Sequence, residues 1–169
     1  MIGCIIERIS GKSFTDYSHE VLIDPLEMKN SGWFIREIDK EKMVTMYSKL
    51  DSGKVETLDP DYGWPGYSDG NLRTNIEEAA NFLAMILNNG KFNGKQILKA
   101  ETIAEMRKPQ GVNTPYYLKD MALVWHIEEQ NALLDDSNIV YIHSGSPTGS
   151  IMTMYFMPET NSGFITLIN

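Results

Sequence analysis

The feature that most constrains this chain is the stretch Tyr141-Ile142-His143-Ser144-Gly145-Ser146-Pro147-Thr148-Gly149 near its C-terminus. Apolar runs surround it: 139–142 leads in, 151–157 leads out, and 163–168 follows. They are rich in Val, Ile, Tyr, Phe and Thr, side chains that suit a pleated, half-buried surface. Ser146-Pro147-Thr148-Gly149 supplies one turn, and 158–163 (Pro-Glu-Thr-Asn-Ser-Gly) the next. The pattern predicts an antiparallel three-strand meander with His143-Ser144-Gly145 at the end of its first strand. A glycine there lets a ligand approach the backbone, and the following N–H can point outward. Taken alone, the triplet reads as a plain strand end with a satisfied histidine.

Composition excludes several classes. The 169 residues, 42% hydrophobic and 22% charged, are those of a soluble globular chain with a real core. A net charge of −8 with no Lys/Arg patch argues against a nucleic-acid surface. No apolar stretch is long enough to span a bilayer, and no signal-peptide pattern is visible at the N-terminus. Cys4 is the single cysteine, so no internal disulfide is expected; its apolar helical setting predicts a buried, inert thiol. His19 and His126 lack partners at metal-ligand spacing and read as surface or core residues, and no cofactor is expected. Asp135-Asp136 reads as a solvated turn rather than a catalytic carboxylate pair. Most of the ten methionines read as core filler, with Met152 and Met154 inside a predicted strand.

Before the meander the chain reads as mostly helical. Ile2, Ile5, Ile6 and Ile9 share one face of a helix over 1–10, stopped by Gly11. Ser13 caps a second helix, Asp16 favours its N-terminal dipole, and Asp24-Pro25 ends it. A short turn at 25–28 and a loop at 30–33 follow. Segments 43–50 and 54–58 are placed in a hairpin around Asp51-Ser52-Gly53. Residues 59–71, rich in Gly, Pro, Asp and aromatics, read as a long ordered loop. Thr74-Asn75-Ile76-Glu77 reads as a capping box. Ile76, Ala79, Ala80, Leu83, Ile86 and Leu87 then form a helical face closed by Gly90. A shorter helix over 101–108 ends at Pro109, and 123–127 reads as a strand. The expectation is one α+β unit, helix-rich over 1–120 and a β-meander over 121–169.

Several of these stretches, in order, resemble the serine β-lactamase and penicillin-binding-protein family, on its class C side. The segment 2–14 is similar to the helix after that family's second motif. Asp24-Pro25-Leu26-Glu27-Met28-Lys29-Asn30-Ser31 is similar to its P-L-G-M-x-x-T. Asp69-Gly70-Asn71-Leu72-Arg73-Thr74 is similar to its G-G-L-x-S. The stretch from Ile97-Leu98 to Pro109-Gln110 resembles the next family segment. His143-Ser144-Gly145 resembles the third motif, familiar as K-T-G and found as His-x-Gly in some DD-peptidases, D-aminopeptidases and esterases. The resemblance covers nearly the whole chain. Departures are local: Glu27 and Asn71 stand where Gly is usual, and Ala100 where a capping Ser is usual.

The resemblance implies the C-terminal part of the β-lactamase/transpeptidase-like fold, an incomplete domain over 1–169. The family's Ser-x-x-Lys nucleophile and Tyr-x-Asn motifs, which come before this segment, do not occur here; Tyr47-Ser48-Lys49 is neither. The resemblance assigns substrate binding to His143, Ser144, Gly145 and Ser146. The Ser146 N–H is one oxyanion-hole donor in that reading, and no catalytic nucleophile or base is assigned. Tyr62, Trp64 and Tyr67 either wall the cleft or pack a loop against itself. The implied partners are a β-lactam, a D-amino-acid peptide or an ester, with neither nucleic acid nor a membrane segment. The implied compartment is bacterial and extracytoplasmic. The non-catalytic alternative is a binding module derived from the same fold. Residues 164–168, apolar on both faces, predict an open sheet edge through which the chain self-associates.

Overall fold

The structure, a computed structural model, describes residues 1–59, 66–112, 120–128, 139–147 and 149–169. The chain divides into two compact units, one holding 1–79, 145–151 and 167–169, the other 80–144 and 152–166.

In the first unit, α1 (Ile2–Ser10) stops where Gly11 turns left-handed, its N–H donating to the Glu7 carbonyl. Ser13 accepts from the Asp16 N–H at 3.0 Å and caps α2 (Phe14–Ser18). The chain continues through one wider turn, His19–Ile23, before Asp24-Pro25. Glu7 ties these pieces together: its Oε1 accepts from the Phe14 N–H at 2.9 Å and from the Tyr67 hydroxyl at 3.1 Å. Burial and the neighbouring Glu7 carboxylate both hold the Tyr67 phenol above its ordinary range. The Phe14 ring stands edge-on to Trp33 at 4.9 Å and to Tyr67 at 6.0 Å. Strands β1 (Tyr47–Lys49) and β2 (Val55–Thr57) pair antiparallel around the expected turn, shorter than the sequence suggested. Part of the segment expected to be a loop is a single helical turn, α3 (Tyr67–Gly70); 60–65 lies outside the described residues.

Helix α4 (Ile76–Leu87) begins one residue later than its sequence signature suggests. Asn75, not Thr74, caps it, its Oδ1 accepting from the Glu78 N–H at 2.9 Å. Thr74 is spent elsewhere, 2.6 Å from the Ser31 hydroxyl. The Glu78 carboxylate is buried at 7% exposure, yet it is fully served by donors. It accepts from the Asn30 N–H at 2.9 and 3.1 Å, the Asn30 side-chain amide at 2.7 Å and the Ser31 hydroxyl at 2.6 Å. Burial pushes this carboxyl up, but the donors from Ser31, Asn30 and Asn75 outweigh it and hold it below its ordinary range.

The second unit is built on α4 from Ala80 on, a β3–β4 hairpin (Lys91–Phe92, Lys95–Gln96), α5 (Ala100–Arg107) and most of a sheet. That five-stranded sheet runs in order β5 (Asp120–Met121), β6 (His126–Glu128), β7 (Val140–Gly145), β8 (Ile151–Met157), β9 (Ser162–Ile168). β5–β6 and β6–β7 are antiparallel. The connections over 146–150 and 158–161 are too short for a parallel crossover, so the meander is antiparallel throughout. Ala122, Leu83, Met85, Ile86, Ile103, Trp125, Ile127, Val140 and Phe156 are buried here.

Four expectations need correction. Cys4 is exposed rather than buried, because Gly3 is the one buried position of α1. Ile2, Ile5 and Ile9 are exposed as well, so the apolar face of α1 is largely uncovered. In α4, Ile76 and Ala80 are exposed and Met85 is buried instead. The strand expected over 123–127 starts only at His126. Residues 122–125 form a turn closed by the Ala122 N–H donating to the Trp125 carbonyl at 2.8 Å, which leaves Leu123 and Val124 exposed. Helix α5 lacks a side-chain cap, as Ala100 in place of a capping residue implies.

Two outcomes follow from this frame. Glu78→Ala strands the Asn30 and Ser31 donors in a buried site and is expected to cost about 2–3 kcal/mol in chemical denaturation. Because the folded pKa of Glu78 is depressed, its contribution is present above the unfolded carboxylate value of about 4.3 and is lost as pH falls through the lower folded value. The wild-type and Glu78→Ala denaturation midpoints should therefore converge in acid, and a gap independent of pH would contradict the assignment. Glu27, standing where the resemblance expects Gly, has φ 59, in the left-handed region that Cβ disfavours. Glu27→Gly is expected to raise stability by roughly 0.5–1 kcal/mol, and a lowered melting temperature would contradict the strain.

Candidate functional site

Strand β7 changes character along its length. Val140, Tyr141 and Ile142 are buried, whereas His143 and Ser144 are exposed, Gly145 is half-buried and Ser146 is exposed. Alternation places His126 opposite Ile142 and Ile127 opposite Tyr141 across β6 and β7. One face of this part of the sheet therefore carries Trp125, Ile127, Tyr141 and His143, and the rings of Trp125 and His143 are in contact.

Ring contacts form a continuous column beneath His143. The imidazole meets Trp125 edge-on at 5.9 Å, and Trp125 meets Phe156 edge-on at 4.8 Å. Phe156 stacks on Tyr141 at 5.0 Å with only 10° between the planes. Phe156 has no exposed surface and Trp125 has 2%, so the column is fixed by burial. Arg107 closes its lower end. Its guanidinium stands 5.9 Å from the Phe156 ring and donates to the Ile86 carbonyl, while the Tyr141 hydroxyl donates to the Arg107 carbonyl at 3.1 Å.

This setting controls protonation. Partial desolvation of the ring holds His143 below its ordinary value, and the neighbouring His126 lowers it further. At pH 7 the imidazole is therefore mostly neutral, able to donate from one nitrogen and accept at the other. Burial raises the Tyr141 phenol, with Glu159 adding to the rise against Arg107. Trp125 Nε1, His126 Nδ1 and Arg107 Nε are buried with no hydrogen-bond partner among the described residues.

The turn after the strand is equally constrained. The Ser150 N–H donates to the Pro147 carbonyl at 3.1 Å, and Gly149 sits at φ 81. A Cβ on Gly149 would come within 2.6 Å of Leu58 Cδ1 and 3.0 Å of Met46 Cβ, so the turn rests directly on the residues flanking the β1–β2 hairpin.

His143, Ser144, Gly145 and Ser146 are thus presented by one strand end and its outgoing residue. Neighbours on a strand face opposite ways, so His143 and Ser144 do not form a nucleophile–base dyad, and no hydrogen bond joins them among the described residues. Tyr67 packs in the first unit against Phe14 and Phe34 and is bonded to Glu7. Tyr62 and Trp64 lie outside the described residues, as do Asp135 and Asp136. His19 pairs with Asp24, Nδ1 to Oδ1 at 3.1 Å. No group of His, Cys, Asp or Glu among the described residues is arranged to hold a metal ion, and no described helix is long and apolar enough to cross a membrane. Sequence reasoning missed Trp125 as the support of His143; its signal was the Trp-His pair at the start of a strand facing the triplet.

The fold is that of known structures. It superposes on the octameric penicillin-binding protein homologue from Pyrococcus abyssi with a TM-score of 0.83 at 24% identity, over 99% of this chain and 36% of that one. A penicillin-binding protein from Bacillus halodurans matches with a TM-score of 0.79 at 20% identity, over 99% of this chain and 48% of the other. The D-amino acid amidase from Ochrobactrum anthropi SV3 in complex with D-phenylalanine matches with a TM-score of 0.76 at 18% identity, over 99% and 48%. The chain thus spans half or less of the length of these structures. Among curated proteins none matches its sequence. The Beta-lactamase family model matches residues 1–169, and the chain belongs to that family, within the β-lactamase/transpeptidase-like fold of serine hydrolases.

Proposed function

We propose that this chain is the C-terminal portion of a serine hydrolase of the β-lactamase, DD-peptidase or esterase type. It supplies the third active-site element, with His143 and Ser144 contacting substrate, Gly145 admitting it to the backbone, and the Ser146 N–H donating to the oxyanion. The observation that carries this is the design of β7: a buried root of Val140, Tyr141 and Ile142 leading to an exposed His143 and Ser144, a half-buried Gly145 and an exposed Ser146. The substrate in this reading is a β-lactam, a D-amino-acid peptide or amide, or an ester. The amidase likeness favours the acyl-transfer class without choosing among its members.

Covalent catalysis by this route needs an activated nucleophile, and the 169 residues contain neither Ser-x-x-Lys nor Tyr-x-Asn. That absence also supports a second reading, a non-catalytic module that binds substrate-like molecules at the same strand end. In both, residues 1–169 act as one incomplete domain.

Both readings expect this chain alone to leave nitrocefin and p-nitrophenyl esters unhydrolysed above background. An acyl adduct on any of its serines by mass spectrometry would overturn them. The open sheet edge carries a related proposal. β9 ends the sheet, and Phe164, Leu167 and Ile168 are 50%, 39% and 58% exposed on a strand without Lys or Pro. Self-association through β9 is expected to appear as a mass that rises with concentration in light scattering. A monodisperse monomer across the series would exclude it.

A further inference from the structure

The N–H read as the oxyanion donor belongs to Ser146, the first residue past the end of β7. Its direction is set by the backbone torsions at Gly145 and Ser146, and a glycine restricts those torsions least. Direction matters, because a hydrogen bond weakens steeply once its angle falls below about 120°. The aim of this N–H therefore depends on what holds the chain just beyond it.

What holds it is the open end of the β1–β2 hairpin. Tyr47 pairs with Thr57, and the Leu58 N–H donates to the Met46 carbonyl at 2.9 Å, so Met46 and Leu58 form one further rung. Gly149 lies directly on this rung. A Cβ there would stand 2.6 Å from Leu58 Cδ1, 3.0 Å from Met46 Cβ and 3.0 Å from the Tyr47 carbonyl oxygen. A side-chain methyl can swing aside, but a backbone carbonyl held in a hairpin cannot. The left-handed φ of 81 at Gly149 adds a second reason for glycine. The Thr45 carbonyl, next along, accepts from the Asn169 side-chain amide at 2.8 Å, which ties the same stretch to the residue after β9. Gly145, Ser146, Gly149, Met46 and Leu58 all belong to the first compact unit. The far end of the hairpin is open to solvent, with Leu50 and Val55 exposed.

We propose that the Met46–Leu58 rung is a positioning element for the Ser146 N–H: by seating Gly149 it fixes the turn, and through the turn the aim of the donor. The inference rests on the reading of β7 as the substrate edge and adds two residues from outside the sheet to it. Met46 and Leu58 act through the turn rather than by touching substrate. They carry no polar side chain and stand in no motif, so only the contact with Gly149 points to them.

The test follows the Gly145 and Ser146 amide signals of the isotope-labelled chain by NMR while N-acetyl-D-alanine amide, whose carbonyl can accept from Ser146, is titrated in. Leu58→Ala removes the seat, and Gly149→Ala wedges the turn away from it. Both are expected to displace the free Ser146 amide signal, speed its hydrogen exchange and raise the apparent Kd at least threefold. Leu58→Met, which refills the seat, and Val55→Ala, at the exposed end of the same hairpin, are expected to match the wild-type chain. Circular dichroism identifies the folded variants, and Gly149→Ala carries the test by itself where Leu58→Ala does not fold. An unchanged Kd in the folded variants, or an equal loss in Val55→Ala, overturns the inference and leaves the substrate-edge reading standing. Failure of the wild-type chain to respond to the ligand overturns the substrate-edge reading, and the inference with it.

Discussion

Burial of Val140, Tyr141 and Ile142 is the constraint from which the candidate site takes its shape. Because strand side chains alternate, these three residues bury both faces of β7, Tyr141 against Phe156 on one side and Val140 and Ile142 on the other. A slip of one residue would exchange every inward and outward side chain, so the register opposite His126 and Ile127 is strongly specified. With the register fixed, the point at which the strand leaves the core is fixed too, and it falls at His143. The site is then the first place along β7 where backbone and side chains are free to meet a ligand.

The first unit solves a different problem with a polar anchor. A buried carboxylate is costly unless every lone pair is served, and Glu78 is served by two backbone or side-chain donors from Asn30 and by Ser31. These bonds join residues more than forty positions apart in sequence, so they pin the loop after Pro25 to the start of α4. The Gly32–Arg73 bridge runs alongside, with N–H to carbonyl bonds of 3.0 and 2.9 Å in both directions. A network of this kind tolerates little substitution, since removing one partner leaves the others buried and unpaired. It also accounts for Thr74, whose hydroxyl is drawn to Ser31 rather than to the helix end.

What was legible in the sequence follows the range of the interactions involved. The meander, the Ser13 cap, the Gly11 stop and the hairpin around Asp51-Ser52-Gly53 are set by neighbours within a few residues, and each forms as its local pattern implies. The fold family was legible from ordered motif resemblances. The errors lie where a distant partner decides. Cys4 and the isoleucines of α1 were read from periodicity, which shows that a face is apolar but not that anything covers it. Leu123 and Val124 looked like strand because they are apolar and branched, yet the Ala122–Trp125 turn serves to deliver Trp125 to the core. Thr74 and Asn75 are both good caps, and only the pull of Ser31 on Thr74 separates them. The aromatic column under His143 joins residues from three segments of chain, so no window of sequence contains it.

The binding proposed at β7 has a physical basis separate from bond-making. Orientation of the His143 ring depends on Trp125 and Phe156, and both belong to the same compact unit as His143. Those contacts are apolar and buried, so they need no nucleophile, bound ligand or ion to hold them. A strand end positioned in this way keeps its hydrogen-bonding geometry in the absence of the groups that perform acyl transfer. Covalent chemistry is less forgiving, because a nucleophile and its base must lie within hydrogen-bond reach of each other. The binding proposed at β7 can therefore be measured on this chain alone.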